Sequence, residues 1–102
     1  MNTTEYLAAA KQRIGAENSA EMATRLGVTR AAMSRYESGE RVMDDYTAAR
    51  IAEILEIDPL RVIAQANAER EKDEKRAAYW SSIAHAAMTA PSRAYANGVC
   101  IM

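Results

Sequence analysis

Two arginines stand five positions apart in the stretch TRAAMSRYESGE, residues 29–40, which otherwise holds small, apolar, acidic and turn-forming residues. On a helix that advances about 100° per residue, Arg30 and Arg35 share one face with Ala31 and Ser34. The small side chains leave room for a bulky, flat molecule to approach the backbone, and the major groove of a DNA duplex accepts such a helix. A solvated surface helix would show the same pattern, so the flanking residues must decide between the two interpretations.

A second short helix is predicted directly before this stretch. Asn18 and Glu21 have the spacing of a capping box, and Gly27 suits the left-handed turn that ends a helix. Thr29 then caps the helix with the two arginines, and Gly39 ends it. The apolar residues fall where two short crossing helices would bury them: Met22, Ala23, Leu26, Val28, Met33 and Tyr36. This pattern predicts a helix-turn-helix.

Three further helices are predicted around this pair. One runs from about Thr4 to Ile14 behind a capping box formed by Asn2 and Glu5, and another opens at Asp44 or Asp45. A fifth opens at the Asp-Pro pair of residues 58–59, because proline suits the first turn of a helix. Its inward-facing residues are predicted to be Leu60, Ile63 and Ala64.

Beyond the fifth helix the character of the chain changes. Residues 69–76, EREKDEKR, are all charged and are predicted to continue the fifth helix as a solvated segment. An apolar stripe then follows up to the proline at position 91. We predict a DNA-binding domain in residues 1–68, a helical extension in residues 69–90 and a flexible tail in residues 91–102. The stripe of the extension consists of Tyr79, Trp80, Ile83, Ala87 and Met88.

Composition limits the classes of function. The chain of 102 residues lacks Phe and is rich in helix-forming residues, so we expect one small all-α protein with no room for a deep catalytic cavity. A single cysteine, Cys100, and a single histidine, His85, supply neither a disulfide nor a metal site. No apolar run approaches the length of a membrane span. We therefore expect a cytoplasmic protein without a cofactor, a metal or an enzymatic activity.

The formal net charge of −1 gives no global basic signature, but charge is unevenly distributed. Residues 25–41 hold four arginines against two acids, whereas residues 44–58 hold five acids against one arginine. A positive side and a negative side are therefore expected in one fold.

The sequence from AEMATRLGVTRAAMSRYESGER to AARIAEILEIDP resembles the Cro/C1-type, or xenobiotic-response-element-type, family of phage and bacterial repressors. The resemblance covers residue 18 to about residue 63. It implies a five-helix, lambda-repressor-like domain whose third helix enters the major groove. It implies base contacts by Arg30, Ala31, Ser34 and Arg35, and contacts to the DNA backbone by Asn18, Ser19, Thr29, Ser38 and Arg41. Glu40 departs from the basic or small residue that is common at its position in this family.

These observations predict a repressor that binds a two-fold operator as a homodimer, with the C-terminal stripe as the dimer contact. Each arginine would read one guanine of a half-site. Several alternatives stay open at this stage. Arg35 could pair with Glu37 or a neighbouring acid, or could grip phosphate, and the stripe could fold back on its own domain. The protein could also be an antitoxin with the same DNA-binding domain, whose C-terminal extension after Glu69 wraps a toxin as a protein partner, or a protein-interaction module that has lost DNA binding.

Overall fold

The computed structural model describes residues 1–89, and this part of the chain contains helices but no strand. The predicted all-α fold class is therefore confirmed. The predicted tail, including Cys100 and a tight turn expected at residues 97–98, lies outside the described residues. The helices are α1 (Thr3–Ile14), α2 (Ser19–Leu26), α3 (Arg30–Ser38), α4 (Asp45–Leu55), α5 (Pro59–Arg70) and α6 (Glu74–Thr89).

Local hydrogen bonds begin the helices at the predicted residues. At α1 the Asn2 side chain accepts from the Glu5 N–H at 2.9 Å, and the Glu5 carboxylate accepts from the Asn2 N–H at 2.8 Å, which completes the capping box. At α4 the cap is Asp44, whose carboxylate accepts from the Thr47 N–H at 2.9 Å. Each cap satisfies a backbone donor that has no partner inside the helix.

The first five helices enclose one apolar core. Without Phe, the core is filled by aliphatic side chains, methionines and two tyrosines. Methionine suits this task because its unbranched side chain adapts to irregular spaces. Met33 and Tyr36 of α3 lie in this core, so packing fixes the orientation of α3. The most buried large side chains are Tyr6, Leu7, Met22, Leu26, Met33, Met43, Ile51 and Val62.

Glu69 and Arg70, the first two residues of the charged run, make tertiary hydrogen bonds, contrary to the prediction of a solvated segment. The Glu69 carboxylate accepts from the Thr3 N–H at 2.9 Å and from the Thr3 hydroxyl at 2.5 Å. A carboxylate at the N-terminus of α1 is also favoured by the helix dipole. Arg70 donates to the Met43 carbonyl at 3.2 Å. The end of α5 is thereby tied to α1 and to the loop between α3 and α4.

The prediction that the charged run continues the fifth helix is wrong. Helix α5 ends at Arg70, and Asp73 starts a new helix, because its carboxylate accepts from the Arg76 N–H at 3.0 Å and its carbonyl from the Ala77 N–H at 2.9 Å. The turn between the two helices covers only residues 71–73. An aspartate competes well for the capping position, and the pairs of opposite charge along the run do not prevent a break there.

Helix α6 folds back on α5, and the two form an αα-hairpin. Ala64 of α5 and Ala84 and Ala87 of α6 are buried but lie outside the main core, so they fill the seam between the two helices. Small residues let the helix axes approach closely. Ala87 of the C-terminal stripe therefore packs within its own chain, whereas Tyr79 and Met88 of the stripe remain exposed.

The predicted inward residues of α5 need one correction. Ala64 is fully buried and Ile63 is partly buried, but Leu60 is 43% exposed. The prediction assumed one buried face. Helices α4 and α6 cover α5 from two sides, so Val62 and Ala66 face the main core while Ala64 faces α6. Leu60 lies one helical turn before Ala64, outside the contact with α6.

Candidate nucleic-acid interface

A tight turn sets α2 against α3. Gly27 has φ 72° and ψ 32°, in the left-handed region that favours glycine. Its N–H donates to the Thr24 carbonyl at 3.3 Å, and the Val28 N–H donates to the Ala23 carbonyl at 3.0 Å. These bonds form a Schellman motif, which satisfies the last carbonyls of α2. Ala23 is 2% exposed, so the crossing of the two helices is closely packed, as the sequence predicted.

The four predicted base-contacting residues lie together on the exposed face of α3. Arg30, Ala31, Ser34 and Arg35 are all exposed, while Met33 on the opposite face is fully buried. The backbone of α3 is thus held by its apolar face, and the polar face is open to a ligand. Contact of these four side chains with bases stays a prediction.

Two helix starts flank this face. The Asn18 side-chain oxygen accepts from the Glu21 N–H at 2.9 Å, and the Thr29 hydroxyl accepts from the Ala32 N–H at 3.0 Å. Within residues 1–89, the Asn18 amide NH₂ and the Thr29 hydroxyl proton remain able to donate to a ligand. The first N–H groups of α2 and α3 also point outward from the helix ends. Such an arrangement suits phosphate groups.

Glu37 braces α3 against two other helices, and the sequence analysis assigned it no such role. The Ser19 hydroxyl of α2 donates to the Glu37 carboxylate at 2.5 Å, and the Lys11 ammonium of α1 lies 3.5 Å from it. The Lys11 and Glu37 side chains are 31% and 27% exposed, so this contact is partly shielded from water. A glutamate four residues after Met33, at the border of the buried face, was the only available signal.

The predicted backbone contacts differ in how free their side chains are. The Ser19 hydroxyl donates to Glu37, and the Ser38 hydroxyl donates to the Arg35 carbonyl at 3.1 Å. Each serine has one hydroxyl proton, so neither hydroxyl is left to donate to a phosphate in this arrangement. Arg41 is exposed, and its backbone N–H donates to the Arg35 carbonyl at 3.2 Å. This bond holds Arg41 directly after the end of α3.

The two arginines of α3 have different surroundings. The Arg35 Nε lies 3.6 Å from a carboxylate oxygen of Glu40, and the two side chains are 54% and 70% exposed. The predicted alternative of an acidic partner for Arg35 is therefore present in the unbound protein. Arg30 has no ion pair among residues 1–89. An exposed ion pair of this kind is worth at most about 1 kcal/mol, which a guanine contact can replace.

The acidic start of α4 lies beside this region. The hydroxyl and then the backbone N–H of Thr47 lower the pKa of Asp44 below its ordinary value of 3.8. Burial raises the pKa by less than either hydrogen bond lowers it, and the positive charges of Arg70 and Arg41 lower the pKa by smaller amounts still. Asp44 is therefore ionised at neutral pH, and it couples Arg41 electrostatically to the start of α4.

The predicted dimerisation residues divide between two environments. Ala87 is buried against α5, and Trp80 and Ile83 are partly buried. Tyr79 and Met88 are 63% and 46% exposed. The Tyr79 and Trp80 rings meet edge to face, with centroids 6.1 Å apart and planes at 68°. The exposed surface of α6 therefore keeps only part of the predicted stripe.

Other kinds of site find no support in residues 1–89. These residues contain no group of three or more His, Cys, Asp or Glu side chains with the geometry to hold a metal ion. None of the described helices is both long enough and apolar enough to span a membrane.

Comparison with known proteins agrees with this geometry. A helix-turn-helix family model matches residues 12–62, which is half of the chain and contains the whole of α2, the turn and α3. Searches of curated proteins and of solved structures gave no match. The family match and the geometry of the α2–α3 pair lead to one conclusion: the chain belongs to the Cro/C1-type helix-turn-helix family of DNA-binding transcription regulators.

Proposed function

We propose that this protein is a repressor, of the kind that phages and prophages encode, which binds a two-fold operator in the cytoplasm as a homodimer. The observation that carries the proposal is the exposed face of α3, where two arginines flank small side chains while the opposite face is buried. Occupying a promoter and excluding polymerase is the simplest action for such a chain.

Base reading is assigned to the exposed face of α3. Each arginine is able to make a bidentate hydrogen bond to O6 and N7 of a guanine, worth about 1–3 kcal/mol of discrimination. Arg30 is in the first turn of α3, and Arg35 is about a turn and a half further along. Ala31 is small enough to accept a thymine methyl group, and Ser34 offers a hydroxyl to either kind of base.

Backbone contacts are assigned first to Asn18, Thr29 and Arg41, whose side-chain donor groups have no acceptor within the described residues. Ser19 is in the first turn of α2, so it is suited to donate its backbone N–H, with its hydroxyl kept on Glu37. Ser38 keeps its role as a contact only if its hydroxyl leaves the Arg35 carbonyl. These contacts fix register on the duplex and carry no sequence information.

Dimer formation is assigned to the outer surface of α6. A single helix-turn-helix covers too little DNA for specific affinity, and a two-fold axis supplies the second half-site. The exposed side chains of Tyr79 and Met88, with the partly buried Trp80 and Ile83, are the apolar surface that α6 offers. Ala87 contributes by holding α6 against α5 instead of touching the second copy.

The proposal is tested by the two arginines. Arg30→Ala and Arg35→Ala should each cost roughly 1–3 kcal/mol of operator affinity and relax preference at one base position per half-site. Arg41→Ala is the matched control, because an exposed arginine outside α3 should weaken binding to all duplexes alike and reduce the salt dependence. Uniform losses in all three variants would make the α3 arginines phosphate contacts. Absence of a salt-dependent shift in the wild type would favour the protein-interaction module.

The dimer contact is tested in the full chain by replacing exposed side chains. Tyr79→Ser combined with Met88→Ser removes apolar contact area worth roughly 25 cal/mol per Å² and should weaken the dimer at least tenfold in sedimentation equilibrium. Tyr46→Ser is the control, because Tyr46 of α4 is equally exposed at 60%. A dimer that survives the double variant and dissociates with Tyr46→Ser would move the interface to α4.

A further inference from the structure

The loop between α3 and α4 carries Arg41, which is proposed above to contact the DNA backbone. This loop covers residues 39–44. Its first half is attached to α3, because the Arg41 N–H donates to the Arg35 carbonyl at 3.2 Å. Its second half turns inward, since Val42 is partly buried and Met43 is 1% exposed. The place that the Arg41 side chain occupies therefore depends on how firmly the backbone after it is held.

Arg70, the last residue of α5, holds that backbone. Its Nη2 group donates to the Met43 carbonyl at 3.2 Å and lies 3.6 Å from a carboxylate oxygen of Asp45. Asn67, one helical turn earlier, donates from its side-chain amide to the same Asp45 oxygen at 3.3 Å. A hydrogen bond to a backbone carbonyl fixes the path of the loop itself, and a partly buried carbonyl that loses its donor costs free energy.

The same contacts decide between two roles for Arg70. Thr47 lowers the pKa of Asp44 most, through its hydroxyl and then its backbone N–H. The guanidinium groups of Arg70 and Arg41 lower the pKa of Asp44 by smaller amounts, so both arginines lie within electrostatic range of this carboxylate. Although Arg70 is near Arg41, its Nη2 is already engaged within the protein. Holding the loop fits these contacts better than binding a phosphate directly.

We propose that Arg70 is a positioning residue for Arg41: by bonding the Met43 carbonyl it holds the α3–α4 loop and keeps Arg41 in place for a phosphate of the DNA backbone. This inference rests on the proposed function, since it requires that Arg41 contacts the duplex. Arg70 lies beyond residues 12–62, the segment that the family model matches. The hairpin of α5 and α6 thus contributes to DNA affinity without touching the DNA.

The first step is tested in the free protein by amide hydrogen exchange. Arg70→Met removes the donor and the charge but keeps an unbranched stem. Exchange of the Arg41 amide should become about fivefold faster, as expected for the loss of one hydrogen bond that holds the loop. Arg76→Met is the matched control, because it removes an exposed arginine of the same charged run and should leave this exchange rate unchanged. An unchanged rate in Arg70→Met would overturn the inference without reference to DNA.

The second step is tested by a double-mutant cycle with Arg41→Ala, in which affinity is measured for a duplex selected by the wild type and for a random duplex. Arg70→Met should lower both affinities about three- to tenfold in the wild-type background and less than about twofold when Arg41 is absent. Base preference should not change, because a backbone contact carries no sequence information. A purely structural role would lower affinity equally in the two backgrounds.

An equal loss with and without Arg41 would therefore overturn the inference, and so would a loss no larger than that in Arg76→Met, which would assign it to general charge. If Arg70→Met lacks the helical circular dichroism of the wild type, Asn67→Ala replaces it in the cycle. Asn67→Ala removes only the bond to Asp45 and should give a smaller loss that again requires Arg41; a loss independent of Arg41 would overturn the inference.

Failure of the proposed function has a different signature. If Arg41→Ala alone left affinity and its salt dependence unchanged, the backbone contact assigned to Arg41 would be wrong. This result is seen before any variant of Arg70 is measured.

Discussion

Replacement of Glu37 by alanine should loosen α3. The change removes a hydrogen bond from the Ser19 hydroxyl to a carboxylate and an ion pair with Lys11. Hydrogen bonds to charged groups contribute about 1.5–3 kcal/mol, and partly exposed ion pairs contribute up to about 1 kcal/mol. Because Glu37 and Lys11 are about one third exposed, the lower part of this range applies, and we expect a loss of about 2 kcal/mol.

The assay is thermal unfolding followed by circular dichroism. A loss of about 2 kcal/mol corresponds to a fall in Tm of roughly 8–16 °C for a domain of this size. Glu37→Gln keeps an acceptor for Ser19 and loses only the ion pair, so its Tm should fall by less than half as much. Glu40→Ala is the control at the same end of α3 and should change stability by less than about 0.5 kcal/mol. An unchanged melt for Glu37→Ala would refute the bracing role of Glu37.

Two further predictions concern the turn and the start of α4. Gly27→Val should lower the free energy of unfolding by about 1–2 kcal/mol or more, since φ 72° is strained for a β-branched residue. Asparagine tolerates this conformation, and no atom lies within 4 Å of an added Cβ. Gly27→Asn should therefore melt close to the wild type. Asp44→Asn should destabilise the fold at neutral pH, because the lowered pKa of Asp44 means that its ionised form stabilises the folded state above its ordinary pKa of 3.8. That advantage should be lost as pH falls below 3.8 and through the lower folded-state pKa, so urea titrations at pH 7 and at successively lower pH should show the difference between the two proteins shrink below pH 3.8.

Local signals in the sequence predicted the five helices of residues 1–63, although not the exposure of Leu60. The residue types alone predict the caps at Asn2 and Asp44 and the positive φ of Gly27. Each of these residues satisfies backbone groups at a helix end. Burial of Met33 and Tyr36 followed from helical spacing. These features predicted the exposed face of α3 as well, since the buried face determines which residues point outward.

Long-range contacts were beyond such reasoning. The hydrogen bonds from Thr3 to Glu69 and from Ser19 to Glu37 join residues that are far apart in sequence, and no spacing rule connects them. The charged run looked solvated because every residue in it is charged, yet only tertiary structure shows which charges have partners. Helix α6 begins directly after Asp73, whose carboxylate accepts from the Arg76 N–H. The prediction missed this cap because it gave more weight to the pairs of opposite charge along the run.

The central claim is that α3 reads bases for a two-fold dimer, and selection of bound duplexes from random DNA by the wild-type protein tests it most directly. We expect enrichment of two inverted half-sites whose centres lie about one helical turn apart, each with guanine at two positions. Repeating the selection with Arg35→Ala should remove one of those guanines and keep the other. Enrichment of a single asymmetric site would contradict the homodimer, and recovery of no preferred sequence would contradict base reading by α3.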